Sequence, residues 1–467
     1  MSYASETIAL VLGAGKGTRM LSKEPKVLQT LIDVPLLYYP LAELKKVEPA
    51  STVVVTGHQS ESVKEYLSKD FPDVRTVFQK DQLGTGHAVS VSSDSWKAYK
   101  NVLVMPGDIP LLKSETLNAL LEKHNSEKNL CTFLTFNAED PTGYGRIVRG
   151  GQFLKIVEEA DATRSEKFIT EVNSGIYIFS TEILNEQLKR LDTANAQGEL
   201  YLTDVVSLIH KEHGRVSTLL CDDSEQLQGV NNSVQLSEVS VIMRSRINNG
   251  WMERGVKMAD PASVLISPES ILGSDIYVEP FVQLFGRTRI ENGVHISSFS
   301  QVRDSAVGSE TRLLNHVIIH DSRIDSDVTV GPFCFIRNGS IVEDHAFIGK
   351  FVEVKKSHIG EYSKVPHLSY IGDARIGRNT NIGAGTITCN YDGSKKNKTT
   401  VGNNCFVGSD TMLIAPVKLE DDSFTGAGSV VSSDVPEGAL AVARAKQKNI
   451  PGWAKRVKKK AKEQEGG

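Results

Sequence analysis

The first half of the chain alternates short apolar runs with amphipathic stretches. Apolar runs occupy residues 7–12, 52–56 and 101–105, and helical patterns such as 60–69 and 114–124 lie between them. Strands that alternate with helices indicate an α/β domain with a mostly parallel sheet. Ligands bind such sheets beyond the carboxyl ends of the strands, so the turns that follow the apolar runs are the places to look for chemistry.

After Pro261 the spacing of the aliphatic residues changes to six. The runs with this spacing are Ile290, Ile296 and Val302; Ile324, Val330 and Ile336; Val342, Ile348 and Val354; Ile359, Val365 and Ile371; Ile376 and Ile382; Val401, Val407 and Leu413; and Leu419, Thr425 and Val431. A helix has a period of 3.6 and a strand a period of 2, whereas a triangular coil with six residues per side gives six. An ordinary β-sandwich would need coincidental spacing over more than a hundred residues, so we predict a parallel β-helix of hexapeptide repeats.

Between the two patterns, residues 232–254 have the spacing of one amphipathic helix. Its apolar positions are Leu236, Val239, Met243, Ile247 and Trp251. We therefore predict an α/β domain at 1–231, a linker helix at 232–254 and a hexapeptide-repeat domain at 255–467. The basic tail at 455–462 is interpreted as a solvated end, and a contact with a phosphate of CoA stays open.

Composition narrows the class of protein. A length of 467 residues favours two or three domains, and a formal net charge of -4 gives no overall field that would recruit nucleic acid. No run approaches the ~18–20 apolar residues of a membrane-spanning helix, and the start of the chain lacks the pattern of a signal peptide. The five cysteines are scattered without a C-x-x-C pair, which favours reduced thiols and a cytoplasmic location.

The turn at residues 13–20, GAGKGTRM, is the first candidate site. Glycines let backbone N–H groups approach phosphate oxygens, and Arg19 and Lys26 flank the turn with positive charge. The spacing fits neither standard phosphate-loop motif, so a purely structural turn is the alternative. Asp108, at a strand end, and the amide oxygen of Asn231 are hard oxygen ligands suited to Mg²⁺.

His367 is the centre of the second candidate site. An acetyltransferase needs a base that takes a proton from the attacking amine, and imidazole serves that purpose at neutral pH. Arg337, Lys355, Tyr370 and Asn381 fall on successive predicted coils, where they could surround a sugar phosphate. A glycine-rich insertion at 383–393 interrupts the six-residue spacing, and insertions in a solenoid often mark its binding face.

Several strings together resemble known families. The turn at 12–20 with Pro25 and Lys26, followed in order by QLGTGHA at 82–88, GDIPL at 107–111, PTGYGRI at 141–147 and GVNN at 229–232, resembles the nucleotide-diphospho-sugar pyrophosphorylases. With GAGTITCNYDG at 383–393 and FVGSD at 406–410, the chain from Leu12 to about Arg444 resembles the bacterial bifunctional N-acetylglucosamine-1-phosphate uridylyltransferase / glucosamine-1-phosphate N-acetyltransferase family.

This resemblance implies a Rossmann-like first domain, a left-handed parallel β-helix and two reactions. Glucosamine 1-phosphate would be acetylated by acetyl-CoA, and the resulting N-acetylglucosamine 1-phosphate would react with UTP to give UDP-N-acetylglucosamine and pyrophosphate for peptidoglycan and lipopolysaccharide synthesis. The resemblance also implies a Mg²⁺ ion at the uridylyltransferase site, held by Asp108 and Asn231.

The resemblance assigns roles to individual residues of this sequence. It makes His367 the proton acceptor, and Lys26 and Arg19 are the cations expected to act on the phosphates. The residues implied in binding UTP or the sugar nucleotide are Leu12, Gly13, Ala14, Gly15, Lys26, Gln79, Gly84, Thr85, Gly107, Asp108, Gly145, Glu158, Asn173 and Asn231. Those implied in binding glucosamine 1-phosphate are Arg337, Lys355, Tyr370, Asn381, Asn390 and Tyr391. Those implied in binding acetyl-CoA are Ala384, Ser409, Ala427 and Arg444.

Three positions depart from the pattern of the family. Asn338 follows Arg337 where relatives usually carry proline, Pro366 precedes His367 where glycine is usual, and Pro106 stands where a bulkier residue is common. Proline fixes its own φ and biases the preceding residue toward extended geometry, so Pro366 bears on the placement of the base. None of the three removes a chemical group that the mechanism needs.

Oligomeric state and two alternative functions complete the expectations. Three flat faces per coil and closed cyclic symmetry favour a homotrimer, whose grooves between chains would hold acetyl-CoA. The first alternative is a nucleotidylyltransferase whose β-helix only regulates or oligomerises, which loss of Arg337, Lys355 and His367 would have favoured. The second is a non-catalytic trimeric scaffold, which the intact glycine-rich turn, Lys26 and Asp108 oppose.

Overall fold

We analysed a computed structural model, which describes residues 3–15, 17–150 and 153–465. The chain divides into two compact units, Met1–Arg246 and Ile247–Gly467. Each unit has its own hydrophobic core, and the two are described separately.

The first unit alternates strands and helices, as its apolar runs predict. Its strands are β1 (Thr7–Gly13), β2 (Thr30–Leu31), β3 (Val34–Pro35), β4 (Ser51–Thr56), β5 (Arg75–Phe78), β6 (Asn101–Pro106), β7 (Cys131–Asn137), β8 (Arg146–Gly150), β9 (Phe153–Val157), β10 (Glu171–Ser180) and β11 (Val216–Leu220). Its helices are α1 (Tyr38–Val47), α2 (Ser60–Asp70), α3 (Thr85–Val91), α4 (Ser93–Trp96), α5 (Ser114–Ser126), α6 (Thr181–Gln187) and α7 (Leu202–His213).

The main sheet has the strand order β11-β7-β10-β6-β1-β4-β5, and β8 and β9 extend it from β10. Strands β1, β4, β5 and β6 are parallel, whereas β10 runs antiparallel to β6 and β7. Successive residues of β1 point to opposite faces of the sheet and pack in two hydrophobic clusters. Ala9 and Val11 belong to one cluster, and Ile8 and Leu10 belong to the other. Because both faces are covered, β1 is apolar without alternation, as is typical of parallel strands.

The carboxyl ends of four parallel strands meet at one edge of this sheet. Ala14, Gly15 and Gly17 follow β1, Gly57 follows β4, Gln79 follows β5, and residues 107–108 follow β6. Antiparallel β10 begins at this edge and brings Asn173 to it. The residues predicted to form the first site therefore lie at the carboxyl ends of the parallel strands, as expected for such a sheet.

Helix α8 (Ser233–Met252) occupies the predicted linker region. Val239 and Met243 are buried on it, and Ile247 and Trp251 pack against the core of the second unit. The amide of Asn248 donates hydrogen bonds to the carbonyl oxygens of Pro261 (2.8 Å) and Val264 (3.0 Å), which ties the end of the helix to the first coil.

The second unit is a parallel β-helix with three sheets, which confirms the prediction from the six-residue spacing. The first sheet contains Lys257–Met258, Tyr277–Val278, His295–Ile296, Arg312–Leu313, Thr329–Val330, Phe347–Lys350, Lys364–His367, Asn381–Ile382, Phe406–Val407, Phe424–Thr425 and Leu440–Ala441. The second contains Leu265–Ile266, Gln283–Phe285, Gln301–Arg303, Val317–His320, Cys334–Arg337, Glu353–Lys355, Tyr370–Gly372, Ile387–Cys389, Met412–Ile414 and Val430–Val431. The third contains Ile271–Leu272, Arg289–Ile290, Ala306–Val307, Arg323–Ile324, Ile341–Val342, His358–Ile359, Ala374–Ile376, Thr399–Val401 and Val417–Leu419.

All the residues predicted to point into the coil are buried, each no more than 4% exposed. The same register includes Ile266, Leu272, Val278 and Leu284, so the six-residue spacing predicted after Pro261 extends back toward the linker helix. Inward-pointing residues are six positions apart from the third sheet to the first and from the first sheet to the second. The number of residues between inward positions varies from the second sheet to the third. It is six residues from Leu284 to Ile290 but five from Val302 to Val307, and an insertion lengthens it after Thr388.

The corners of the coil require left-handed backbone. At the corner between the first and second sheets, Phe281, Phe299, Phe333 and Phe351 all have positive φ. Their exposed rings stack with His316 at centroid distances of 4.7 to 5.2 Å, so contact between neighbouring coils offsets part of the strain of the left-handed conformation.

The end of the chain is a helix, α9 (Trp453–Glu465), preceded by an irregular segment. Residues 453–461 are exposed, as expected for a solvated tail, but the backbone is helical. Across the residues that the structure describes, no helix combines the length and the apolar character needed to cross a membrane.

Candidate active sites

A cavity of about 560 Å³ opens at the edge of the first unit's sheet where the parallel strands end. Eleven of the predicted nucleotide-binding residues line it: Leu12, Gly13, Ala14, Gly15, Lys26, Gln79, Gly84, Thr85, Asp108, Glu158 and Asn173. Lys16, in the middle of the glycine-rich turn, lies outside the described residues. The fold thus brings segments that lie between Leu12 and Thr203 in the sequence together around one pocket.

One side of this cavity carries a compact cluster of charged and amide side chains. The ammonium of Lys26 forms an ion pair with Asp108 and donates a hydrogen bond to Asn231 Oδ1 (3.1 Å). Arg19, an exposed residue, donates to the same oxygen (3.0 Å). The backbone N–H of Val230 donates to the carbonyl oxygen of Asp108 (3.0 Å), which holds the segment that carries Asn231 against the end of β6.

Gly17 shapes the path of the turn beside Lys26. Its φ is +58°, in the left-handed region, and a Cβ placed on it would lie 2.8 Å from Lys26 Cβ. Both the backbone conformation and the contact therefore require glycine here. Glycine at position 17 thus lets the turn approach Lys26 closely.

The opposite side of the cavity is acidic and polar. Thr203 donates a hydrogen bond to Glu158 Oε1 (3.0 Å), and Asn173 donates from Nδ2 to Tyr177 Oη (2.6 Å). Burial raises the pKa of Glu158, and the negative charges of Asp204, Asp161 and Glu199 raise it further against the lowering effect of the Thr203 hydrogen bond. Burial also raises the pKa of Tyr177. This side can exchange hydrogen bonds with hydroxyl and amide groups of a neutral sugar ring.

Three of the predicted nucleotide-binding residues, Gly107, Gly145 and Asn231, are not among those that line the cavity. The N–H of Gly107 donates to the carbonyl oxygen of Leu12 (3.0 Å), and the carbonyl oxygen of Gly145 accepts from the N–H of Asn173 (2.8 Å). Sequence reasoning did not assign Tyr177, Glu199 and Thr203, which also line the cavity. These three lie outside the glycine-rich strings, so no local pattern marks them.

The donor chemistry of Asp108 and Asn231 fits a magnesium ion. One carboxylate oxygen and one amide oxygen both contact the same nitrogen atom, Lys26 Nζ, so they converge on a single point. Mg²⁺ takes few protein ligands and completes its shell with water and substrate phosphates. Among the described residues there is no group of three or more His, Cys, Asp or Glu side chains placed to hold a metal.

In the second unit, the second sheet carries the predicted sugar-phosphate residues in one column. Arg337 pairs with Lys355 in the strand register of neighbouring coils, and Glu353 pairs with Tyr370. The guanidinium of Arg337 donates to Glu353 Oε1 through Nε (3.0 Å) and Nη2 (2.7 Å). The structure therefore brings Arg337, Lys355 and Tyr370 together on one face.

The insertion begins after Thr388 and not at residue 383 as predicted, because Ile382 and Thr388 keep the six-residue spacing and are both buried. The inserted segment contacts this column. Asn390 is buried and donates from Nδ2 to Asp373 Oδ2 (2.6 Å) and to Tyr370 Oη (3.3 Å). Lys355 Nζ lies 3.9 Å from Asp373 Oδ2, with both side chains mostly buried. Tyr391, in contrast, is exposed and donates to the carbonyl oxygen of Gly393 (2.8 Å).

Lys396, from the same insertion, is a further cation at this cluster. The neighbouring ammonium of Lys355 lowers the pKa of Lys396. The ammonium of Lys355 is close enough to act on Lys396, and two neighbouring cations mark a position where an anion would be stabilised. Neither Lys396 nor Asp373 was predicted from the sequence, since an isolated lysine or aspartate in a loop carries no distinctive pattern.

His367 and Asn381 lie on a different face from this cluster. Both belong to strands of the first sheet, and the side chain of His367 is exposed. One chain therefore carries His367 on a strand of the first sheet and Arg337, Lys355 and Tyr370 on strands of the second sheet.

The residues predicted to bind acetyl-CoA follow the corner between the first and second sheets. The N–H of Asp410 donates to the carbonyl oxygen of Ala384 (2.7 Å), and the N–H of Gly428 donates to that of Ser409 (2.8 Å). Arg444 Nη1 contacts the carbonyl oxygen of Ala427. Because Ala384, Ser409 and Ala427 are small and lie on successive coils, they leave room for an extended ligand along this corner.

Asn338, Pro366 and Pro106, which depart from the pattern of the family, fit the local backbone and packing. Asn338 has a φ of +59°, which proline cannot adopt, and its Oδ1 accepts a hydrogen bond from Arg337 Nη1 (3.0 Å). Pro366 lies within the strand Lys364–His367, and Val365 beside it stays fully buried in the coil. Pro106 packs against Gly175 at the cavity of the first unit.

The fold and the sites define the class of protein: a nucleotidyltransferase joined to a hexapeptide-repeat enzyme. Comparison with protein families matches residues 8–255 to the nucleotidyl transferase family and residues 398–433 to the hexapeptide repeat of succinyl-transferase. The first match covers more than half of the chain, and the two matches fall on the two halves that the structure separates.

Full-length relatives identify the family more closely. The chain is 42% identical over 455 residues to the bifunctional protein GlmU of Pelobacter propionicus, with 97% of this chain and 99% of the relative covered. It is 43% identical over 453 residues to the GlmU of Fervidobacterium nodosum (97% and 98% covered) and 42% identical over 451 residues to that of Streptococcus mutans (96% and 97% covered). The chain belongs to the bifunctional GlmU family of transferases.

Proposed function

We propose that the first unit transfers the uridylyl group of UTP to N-acetylglucosamine 1-phosphate and that the second unit acetylates glucosamine 1-phosphate with acetyl-CoA. The observation that carries this proposal is the presence of two chemically different sites, one in each unit. The first combines cations with sugar-binding polar groups in a cavity at the strand ends, and the second combines cations with an exposed histidine on the β-helix. The product, UDP-N-acetylglucosamine, would supply cell-envelope synthesis.

In the uridylyl reaction, a phosphate oxygen of the sugar 1-phosphate attacks the α-phosphorus of UTP and pyrophosphate leaves. Two anions must approach each other, so neutralisation of charge and alignment supply most of the catalysis. Lys26 lines the cavity and Arg19 donates to the same oxygen of Asn231 as Lys26 does, so these two cations would hold the phosphates. Glu158 and Asn173, on the other side, would hold the sugar, which places its phosphate toward the cations.

Asp108 and Asn231 would hold Mg²⁺, which supplies further neutralisation of the phosphates when it is bound. Lys26 contacts both residues, so it is placed to move between them and the phosphates of an arriving nucleotide. Gln79 and the turn at 13–15 line the part of the cavity left for the nucleoside.

In the acetyl transfer, the amine of glucosamine 1-phosphate attacks the thioester carbonyl of acetyl-CoA, a proton leaves the amine, and CoA departs as its thiol. We assign the phosphate to Arg337, Lys355 and Lys396, whose cationic groups cluster at the second sheet. Tyr370, Asn381, Asn390 and Tyr391 would contact the sugar. His367 would accept the proton of the amine, and Ala384, Ser409, Ala427 and Arg444 would line the path of acetyl-CoA.

A homotrimer would complete the second site. His367 and the phosphate-binding cations occupy adjacent faces of one prism, so a groove between two chains would bring one face of each together. Threefold packing closes such contacts without a free edge. We place both reactions in the cytoplasm, in keeping with five cysteines that form no disulfide.

The test separates the two activities by substitution. Lys26→Ala should reduce uridylyl transfer by on the order of 10²–10³-fold, the range for loss of one preorganised charge, and leave acetyl transfer intact. His367→Ala should reduce acetyl transfer by on the order of 10²–10⁴-fold and leave uridylyl transfer intact when N-acetylglucosamine 1-phosphate is supplied.

Pyrophosphate release and CoA thiol release report the two reactions in the same preparations, and circular dichroism checks the fold of each variant. A well-folded His367→Ala protein with near-normal acetyl transfer would contradict the assignment of the base. A wild-type protein without acetyl transfer would favour a uridylyltransferase whose β-helix has a non-catalytic role.

A further inference from the structure

The carboxylate of Asp373 lies at the centre of the polar cluster on the second sheet. It accepts a hydrogen bond from Asn390 Nδ2 (2.6 Å) and lies 3.9 Å from Lys355 Nζ, and its side chain is only 9% exposed. It occupies a left-handed corner position, with a φ of +49°. None of the roles assigned so far involves this residue.

The contacts of Asn390 determine how its amide group is oriented. An ionised carboxylate only accepts hydrogen bonds, so the amide must turn its NH₂ group toward Asp373. The second hydrogen of that NH₂ group is directed to Tyr370 Oη (3.3 Å). Both amide hydrogens are therefore engaged, and Asn390 Oδ1 is directed away from these partners as an acceptor.

We propose that Asp373 is a positioning residue that fixes the amide of Asn390 so that its carbonyl oxygen accepts a hydrogen bond from an amine or hydroxyl group of the hexosamine phosphate. This inference rests on the proposed acetyl-transfer function of the second unit. Asp373 selects for a substrate with a hydrogen-bond donor at this position, because its charge excludes the reversed orientation of the amide.

Removal of the Asp373 carboxylate has two possible effects on substrate binding, and they have opposite signs, so an experiment can tell whether Asp373 positions Asn390. A carboxylate beside Lys355 opposes the binding of phosphate, so its removal alone would tighten the binding of any phosphate compound. Loss of the fixed amide would instead weaken the binding of the amino sugar, since charge-assisted hydrogen bonds are about twice as strong as neutral ones and hold one orientation.

The experiment measures acetyl transfer by full-length Asp373→Asn, which keeps the size of the side chain and tolerates the left-handed corner. We expect the KM for glucosamine 1-phosphate to rise on the order of ten-fold, with kcat within about three-fold of wild type. Inhibition by inorganic phosphate should not weaken, and the KM for acetyl-CoA should not change.

Asp321→Asn is the matched control. Asp321 occupies the same corner on an earlier coil with a φ of +45°, away from Lys355 and Asn390, so its kinetics should match those of wild type. In an Asn390→Ala background, Asp373→Asn should add less than about three-fold to the KM, because its effect acts through the amide.

Three outcomes would overturn the inference. They are a KM for glucosamine 1-phosphate that is unchanged or lower in Asp373→Asn, the same effect in Asp321→Asn, and an undiminished effect in the Asn390→Ala background. Uridylyl transfer by the same preparations reports folding of the chain. Absence of acetyl transfer in the wild type would instead contradict the proposed function, so the two failures are distinguishable.

Discussion

Substitution of Gly17 by alanine tests whether the glycine-rich turn acts by positioning Lys26. The new Cβ would lie 2.8 Å from Lys26 Cβ, whereas ordinary contact begins at 3.4 Å, so the two carbons must separate by about 0.6 Å. Misplacement of a catalytic group by about 1 Å can cost about 10²-fold in rate. We therefore expect uridylyl transfer to fall by about 10- to 100-fold, while acetyl transfer is retained.

The cost to stability should be modest and can be measured separately. A left-handed conformation costs a residue with a Cβ roughly 1–2 kcal/mol, against the ~5–15 kcal/mol stability of a typical domain. Gly214→Ala is the matched control for this strain. Gly214 ends α7 with a φ of +66°, and a Cβ there would meet nothing within 4 Å. It should lower the thermal unfolding temperature and leave both activities unchanged.

A double-mutant cycle decides whether the effect passes through Lys26. In a Lys26→Ala background, Gly17→Ala should cause less than about three-fold further loss of pyrophosphate release, because the displaced ammonium is already absent. An equal loss in both backgrounds, or an equal loss in Gly214→Ala, would refute the reasoning that the turn positions this cation.

Three further predictions concern the metal, the assembly and one buried carboxyl. EDTA should stop pyrophosphate release and leave CoA thiol release unaffected; equal loss of both would show that the metal is misplaced. Sedimentation equilibrium should give about three times 51.1 kDa, and a stable monomer with full acetyl transfer would contradict the shared site. Burial raises the pKa of Glu158 above 4.5, so its ionisation opposes folding increasingly as the pH rises through and beyond that value. Glu158→Gln should therefore raise the calorimetric unfolding temperature at pH 7, with a gain that fades toward pH 4.5; a gain that grows on acidification would contradict this sign.

The β-helix was the part of the fold most accessible from the sequence. Its inward positions repeat at a fixed interval, and residues such as Ile348 and Val365 are fully buried as predicted. The first coils, from Ile266 onward, keep the same interval and lie after Pro261, where the change of spacing was predicted, although no run of residues was named there. The helical conformation of the tail was also missed, because a run of lysines indicates solvation without specifying the backbone.

The candidate sites were predictable only where short motifs carry them. The strings around Gly15 and Asp108 predicted residues that line one cavity. Thr203 and Asp373 escaped notice because their importance comes from what they contact across the fold, Glu158 for one and Asn390 for the other. A motif can be recognised in the sequence because the backbone near a ligand requires particular residues. The role of a single polar residue depends on its tertiary contacts, which the sequence does not show.

The unequal corners of the coil have a consequence for how this half of the protein can change. At two corners, an added or lost residue would turn every later aliphatic side chain out of the core. The corner between the second and third sheets already accommodates steps of five and six residues and the insertion after Thr388. Arg337, Lys355 and Asp373 lie beside this corner. Insertions, deletions and substitutions in the loops at this corner therefore need not disturb the coils beneath them. Residues that contact the substrate can change there at little cost to folding.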